Sequence, residues 1–193
     1  ELQTFVVKVG YNSLLIEKNT LTVRTNGPAI HIKSGTNATT IRHNYIRSAT
    51  MGGAIKHESD IGSTVEYNTI DNDHNGPGTP YAIEFTSNAS ANYRYNVLSS
   101  NWTLSYNTCM RWNAGTGTSQ VSHNNLTMTN LAGSNHIEVG VNATVTLNEN
   151  FYSDCSSCTV SPSISGTSPD PNAVATAWPT TGRKADGCVG HQC

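Results

Sequence analysis

Apolar residues along this chain come in short runs of three to five positions that alternate, or nearly alternate, with polar ones. That is the two-residue period of a strand and not the period of a helix. Thr, Val, Ile and Tyr enrich the runs, and Gly and Asn punctuate them, as strand and turn chemistry requires. No window sustains a capped helical period over more than about ten residues. Strands are the predicted element throughout.

The runs also repeat as a set. One signature is a strand centred on a single apolar residue: Ile30, Ile55, Ile83, Met110 and Ile137, with Val6 or Val7 in the copy before them. The other is an apolar residue, two free positions, an asparagine, one free position and a second apolar residue. It reads Ile16, Asn19, Leu21; Ile41, Asn44, Ile46; Val65, Asn68, Ile70; Tyr93, Asn96, Leu98; and Val121, Asn124, Leu126. A degraded copy is expected around Val145 and Asn148, with Asn150 where an apolar residue belongs. The asparagines Asn19, Asn44, Asn68, Asn96, Asn124 and Asn148 are spaced by 25, 24, 28, 28 and 24 residues. A period in that range marks a solenoid, in which each repeat buries its apolar face by stacking on its neighbours. The asparagines are expected to form a ladder inside a turn, because a buried amide must be hydrogen-bonded.

This pattern resembles the right-handed parallel β-helix family, the architecture of pectate lyases and polygalacturonases. The resemblance covers roughly Val6 to Tyr152 and rests on repeat length, strand pattern and the recurring asparagine. It implies an all-β fold, a single-stranded right-handed parallel β-helix (solenoid) of about six coils, with an irregular disulfide-rich C-terminal tail. Residues 1–152 form the helix in this reading. Residues 153–193 form a Pro/Ser/Thr-rich, cystine-containing tail that packs on the helix or on a neighbouring subunit.

Composition narrows the function classes. The 193 residues include 11 basic and 13 acidic ones, with 12% charged overall, so there is no basic footprint for nucleic acid. No stretch approaches the ~18 consecutive apolar residues of a membrane span. Four of the five cysteines, Cys155, Cys158, Cys188 and Cys193, fall in the tail. Disulfides there are expected to hold down a segment with little apolar surface, which places the protein outside the cell. The pairing stays open among three connectivities, and a zinc site using His191 is the alternative. Cys109 occupies the position held by Ala29, Ala54 and Ala82 in other repeats and reads as a buried free thiol. Sequons stand at Asn37, Asn88, Asn101, Asn125 and Asn142. Asn37, Asn88 and Asn142 fall at the same loop of three repeats, so N-linked glycans would line one edge.

Candidate chemistry sits on the first strand of each repeat. If its apolar centre points inward, His31, Lys56, Glu84, Arg111 and Glu138 point outward, one above another. Lys33, Glu58, Thr86 and Asn113 make a second outward file. Alternating signs at this spacing suit a self-neutralising ladder. The same face, with Trp112, is the candidate for binding a polysaccharide. The stretch from Lys33 to Ile46 followed by Ala54 to Glu58 resembles alginate and chondroitin lyases of this fold. That resemblance implies Lys33 as base and Lys56 with His57 as the acid pair, with Arg111 on the same face. Asp71 and Asp73 lie in a polar turn that offers calcium oxygen ligands. Two functions follow as expectations. One is an extracellular, secreted structural glycoprotein that self-associates head to tail into a filament or surface layer. The other is a polysaccharide-binding or polysaccharide-degrading protein of lyase type.

Overall fold

The computed structural model describes residues 5–7, 12–24, 27–49, 52–73, 81–100, 108–113, 115–128, 134–153, 164–167 and 169–178. Each repeat supplies three short strands. They are β1 (Phe5–Val7), β2 (Leu15–Glu17), β3 (Thr20–Val23); β4 (Ile30–Ile32), β5 (Thr40–Arg42), β6 (Tyr45–Ser48); β7 (Ile55–Glu58), β8 (Ser63–Glu66), β9 (Thr69–Asn72). The series continues with β10 (Tyr81–Thr86), β11 (Ala91–Arg94), β12 (Val97–Ser100); β13 (Thr108–Trp112), β14 (Thr118–Ser122), β15 (Asn125–Met128); β16 (Asn135–Val139), β17 (Thr144–Asn148), β18 (Phe151–Tyr152); and β19 (Ile164–Ser165).

Corresponding strands of successive repeats pair in parallel. A seven-stranded first sheet runs β1-β4-β7-β10-β13-β16-β19; a six-stranded second sheet and a six-stranded third sheet run from β2 to β17 and from β3 to β18. The fold is an all-β parallel solenoid with three sheets, and the described residues contain no helix. Parallel strands buried on one face need crossover connections, and here each crossover is the remainder of the coil.

Three inward files of apolar side chains fill the interior: Ile30, Ile55, Ile83, Met110 and Ile137 from the first sheet; Ile16, Ile41, Val65, Tyr93, Val121 and Leu147 from the second; Leu21, Ile46, Ile70, Leu98, Leu126 and Tyr152 from the third. Each residue touches its own kind in the next repeat, which is how a repeat too small to make a core obtains one. In the first repeat the residue opposite Ile30 is Phe5, one position before Val6, and not Val6 or Val7 as the sequence suggests.

Between the second and third sheets the chain turns, and the asparagines stack there. The side chain of Asn96 is typical: its Oδ1 accepts from Asn68 N and Nδ2, each at 3.0 Å, while its Nδ2 donates to Val65 O, Arg94 O and Asn124 Oδ1 at 2.8, 3.1 and 3.0 Å. Asn44, Asn68 and Asn124 repeat this arrangement. The final rung is Asn150 and not Asn148: Asn124 N and Nδ2 both donate to Asn150 Oδ1 at 3.0 Å. The frame is Leu147, Asn150, Tyr152, an intact copy of the motif that Val145 conceals in the sequence.

The residue before each rung is left-handed. Lys18, His43, Tyr67, Tyr95, His123 and Glu149 all have φ between 54° and 58°, a conformation that costs a non-glycine residue about 1–3 kcal/mol. The amide bonds that the ladder makes to the backbone of that bend offset the strain.

Past β19 the chain crosses the C-terminal end of the stack. Asp170 takes the next rung, its Oδ2 accepting from Asn150 N at 3.0 Å, Asn150 Nδ2 at 2.9 Å and the Tyr152 hydroxyl at 3.1 Å, and its Oδ1 from Glu149 N and Asn172 N. A carboxylate accepts without donating, so it ends a ladder whose every other member must do both. Thr167 donates to Val145 O at 3.0 Å, and Val174 bridges to Phe151. The described residues 164–167 and 169–178 thus make a shortened further repeat, in which Pro169 and Pro171 line a pocket with β17.

Candidate functional site

The outward face of the first sheet is built as the strand alternation requires. His31, Lys56, Glu84, Arg111 and Glu138 stand in register, each partly exposed. Their charges are consumed within the face. Lys33 Nζ and His31 Nε2 both lie 2.9 Å from Glu58 Oε2; Lys56 Nζ is 3.0 Å from Glu84 Oε2; Arg111 Nε is 3.3 Å from Glu138 Oε1. Asn113 donates to Glu84 Oε1 at 2.6 Å. Arg111 also bonds the Tyr81 hydroxyl and lies 4.7 Å from its ring centroid. The Lys33 hydrogen bond is the main reason that Glu58 is held below the usual carboxylate range, with His31 adding to it against burial. Burial lowers His31, opposed by its bond to Glu58.

Two residues assigned to this face are elsewhere. His57 and Trp112 alternate with Lys56 and Arg111, so both point inward, at 0% and 2% exposure. His57 cannot share a surface acid role with Lys56, and Trp112 cannot stack on a ligand there. They belong to a second inward file, where His57 stacks on Phe85 (centroids 4.6 Å apart, 7° between planes) and Phe85 on Trp112 (4.3 Å, 5°). The His57 ring bridges two buried groups: Nδ1 is 2.9 Å from Asp60 Oδ2 and Nε2 is 2.6 Å from the Tyr93 hydroxyl. Ser63 donates to Asp60 Oδ2 at 2.7 Å. Ser, Asp, His and Tyr in series look like a catalytic relay, but all four are sealed in the core. They satisfy one another, which is what burial demands of them.

An exterior file of rings was missed in the sequence although its signal was present, in the dipeptides His43-Asn44, Tyr67-Asn68, Tyr95-Asn96 and His123-Asn124. The left-handed residues carry these rings at the corner between the second and third sheets. His43 stacks on Tyr67 (5.4 Å, 9°), Tyr67 on Tyr95 (5.0 Å, 8°), and His123 lies tilted between Tyr95 (5.0 Å) and Trp178 (5.2 Å). Stacked rings cover each other's faces, so this file presents edges and not platforms.

The remaining candidates divide. Asn37, Asn88 and Asn142 are exposed at the corner between the first and second sheets. Asn125 is 4% exposed, and its amide is bonded to both the N–H and the carbonyl of Trp178, so a glycan on it is incompatible with this fold. Asn101 and the four tail cysteines, Cys155, Cys158, Cys188 and Cys193, lie outside the described residues, as does His191. Cys109 is a buried free thiol, pushed up to about 12 by burial. Asp71 accepts from Ser99, and Asp73 is paired with Arg47, so a cation there would meet a guanidinium. Among the described residues no cluster of three or more His, Cys, Asp or Glu could hold a metal ion.

No family model matches the chain, and no curated protein or solved structure matches it either.

Proposed function

We propose that the protein is an extracellular structural glycoprotein, a rigid element whose outer faces are built for stability and not for catalysis. The observation that supports this reading is charge saturation. Of the eight lysines and arginines among the described residues, all but Lys18 and Arg24 are ion-paired with a carboxylate from another repeat. A general base needs a lone pair within reach of the proton it removes. Lys33, the candidate base, instead directs its ammonium at Glu58, and the acid partner His57 is buried.

End-to-end association in this reading runs through the N-terminal edge, where β2 and β3 are the first strands of the second and third sheets. The C-terminal edge carries Asp170, Pro169 and Pro171, and proline beside an edge strand blocks further pairing. Two N-terminal edges meeting give a closed pair and not an open fibre. Glycans at Asn37, Asn88 and Asn142 would keep one corner clear of neighbours.

The test combines electron microscopy and sedimentation of the purified chain with an assay for new chain ends on acidic and neutral polysaccharides. Rods or discrete assemblies without cleavage are expected. Cleavage that disappears in Lys33→Ala or Arg111→Ala would overturn the reading.

A further inference from the structure

A histidine is buried where the solenoid ends. His136 lies on β16, the strand before β19 in the first sheet, and is 0% exposed. Ala29, Ala54, Ala82 and Cys109 precede the apolar centre in the earlier repeats, and in this one an imidazole takes their place. Its ring meets the Tyr152 ring edge to face, with centroids 5.4 Å apart and 81° between planes, and is hydrogen-bonded to the Ser153 backbone. The Tyr152 hydroxyl donates in turn to Asp170 Oδ2 at 3.1 Å. His136, Tyr152 and Asp170 thus connect the last full repeat to the cap that closes it, residues 164–167 and 169–178.

The described groups that pack on the ring do not favour a positive charge. On β13, Cys109 stands between Thr108 and Met110, which pair with Asn135 and Ile137, so it lies opposite His136; burial pushes its thiol up to about 12. On β18 the Tyr152 hydroxyl is pushed up, first by burial and then by the charge of Asp170. Both stay neutral over the range in which a histidine titrates. β15 and β19 bring no titratable side chain, and Arg111 and Glu138 pair with each other on the outer face. Asp170 is already engaged by Glu149, Asn150, Tyr152 and Asn172. Desolvation is the main reason that His136 is lowered to about 4, with the Ser153 bond opposing it. An imidazolium at this position must reach water.

The C-terminal side gives way more readily than the other. β13 pairs with β16 along five residues, from Thr108 to Trp112, whereas β19 pairs at two positions, Ile137 with Ile164 and Glu138 with Ser165. The rest of the cap is held by Thr167 on Val145 O, Asp170 on the last rung, Val174 bridged to Phe151, and Trp178 on Asn125 and Glu149. Each repeat of a solenoid contacts only its neighbours, so a terminal one can open by itself. We propose that His136 is an acid-sensitive latch on this cap: when the imidazole takes up a proton, the cap parts from the stack while the central repeats stay folded. Acid then converts a closed end of the solenoid into an open one, whatever the outer faces do. The capped form keeps His136 neutral, and the opened form lets it titrate near the ordinary 6.5. The cap is therefore most stable above that value and loosens as pH falls towards 4. Between pH 7.5 and pH 5 the opened population should rise about 30-fold.

The experiment is hydrogen exchange of the full chain at pH 7.5 and pH 5, read by mass spectrometry and corrected for the intrinsic pH dependence of exchange. Peptides from 134–153 and 169–178 should lose about 30-fold in protection at pH 5, while those from 40–72 keep theirs. His136→Gln and His136→Leu remove the titrating group with a polar and an apolar side chain. Each should make protection of the terminal peptides the same at both pH values, and either variant that folds decides the matter. His123→Gln, which removes the surface histidine paired with Glu149, should leave the response in place. The proposal is overturned if the parent cap stays protected at pH 5 or if all repeats lose protection together. It is also overturned if the response persists without His136, or if it disappears in His123→Gln.

Discussion

At the scale of single residues, the ladder joins a cost to its compensation. Tyr95 holds φ at 58°, and Asn96 beside it bonds backbone and side-chain groups of repeats on both sides. Asn96→Ala strands Asn68 N and Val65 O in the interior, each at about 1–3 kcal/mol. A loss near 3 kcal/mol should lower the melting temperature by roughly 6–12 °C, while Asn92→Ala, at an exposed position of β11, should leave it nearly unchanged. Calorimetry of the two variants makes the comparison. His136 supplies a second test. Fully buried between repeats, it is lowered to about 4, chiefly by desolvation. The unfolded chain therefore takes up this proton first, near the ordinary histidine value, and the folded chain only near 4. Its contribution is present above about pH 6.5 and is lost as pH falls towards 4, amounting to about 3 kcal/mol. Glu58, lowered mainly by Lys33, removes stability in the same direction at lower pH. Urea midpoints between pH 7 and pH 4 should fall accordingly, and His136→Gln should flatten the upper part of that decline.

At the scale of the strand and its turn, the sequence carried the repeat, the parallel stacking and the inward apolar files, because a period-two pattern fixes which side chains face the core. It failed where two frames competed. Val145 and Leu147 both point inward from β17, so counting from Val145 puts the rung at Asn148, and only pairing to β14 identifies Leu147 as the equivalent of Val121. The same alternation places His57 and Trp112 inside, a consequence that chemical identity obscured: a histidine beside a lysine suggests an active site before it suggests a core. Asn125 shows the converse limit. Its sequon is intact, but Trp178, 53 residues away in sequence, claims its amide, and no local pattern announces that. Close approach between coils is equally silent until strands are paired. Gly117 stacks on Ala89, and a Cβ at Gly117 would stand 2.0 Å from the Ala89 carbonyl oxygen. Gly117→Ala should therefore cost about 1–3 kcal/mol, read as a lower urea midpoint, although alanine occupies the neighbouring position 89 without difficulty.

For the whole molecule, the decisive feature is the asymmetry of its ends. A solenoid has no intrinsic reason to stop, since each repeat leaves the same edge of backbone groups and apolar side chains that its predecessor covered. Here the described residues of 164–167 and 169–178 stop it by chemistry as well as by coverage: Asp170 accepts and cannot pass the ladder on, and Pro169 and Pro171, which line a pocket with β17, have no N–H to offer a further strand. Ending the chain at Ser153 would uncover Leu147, Tyr152 and the outer edges of β17 and β18 together. Unpaired parallel edges recruit other chains, and the nearest complementary edge is β2 of a second copy, whose Ile16 and Asn19 continue the files that end in Leu147 and Asn150. The shortened protein should therefore associate head to tail, with a sedimentation coefficient that keeps rising with concentration where the full chain's levels off at a closed pair. Asp170→Ala in the full chain, which leaves the prolines in place, should lower stability without promoting that association. If the shortened protein instead remains monomeric and folded, the end of the stack needs no cap, and the arrest of the ladder at Asp170 contributes stability alone.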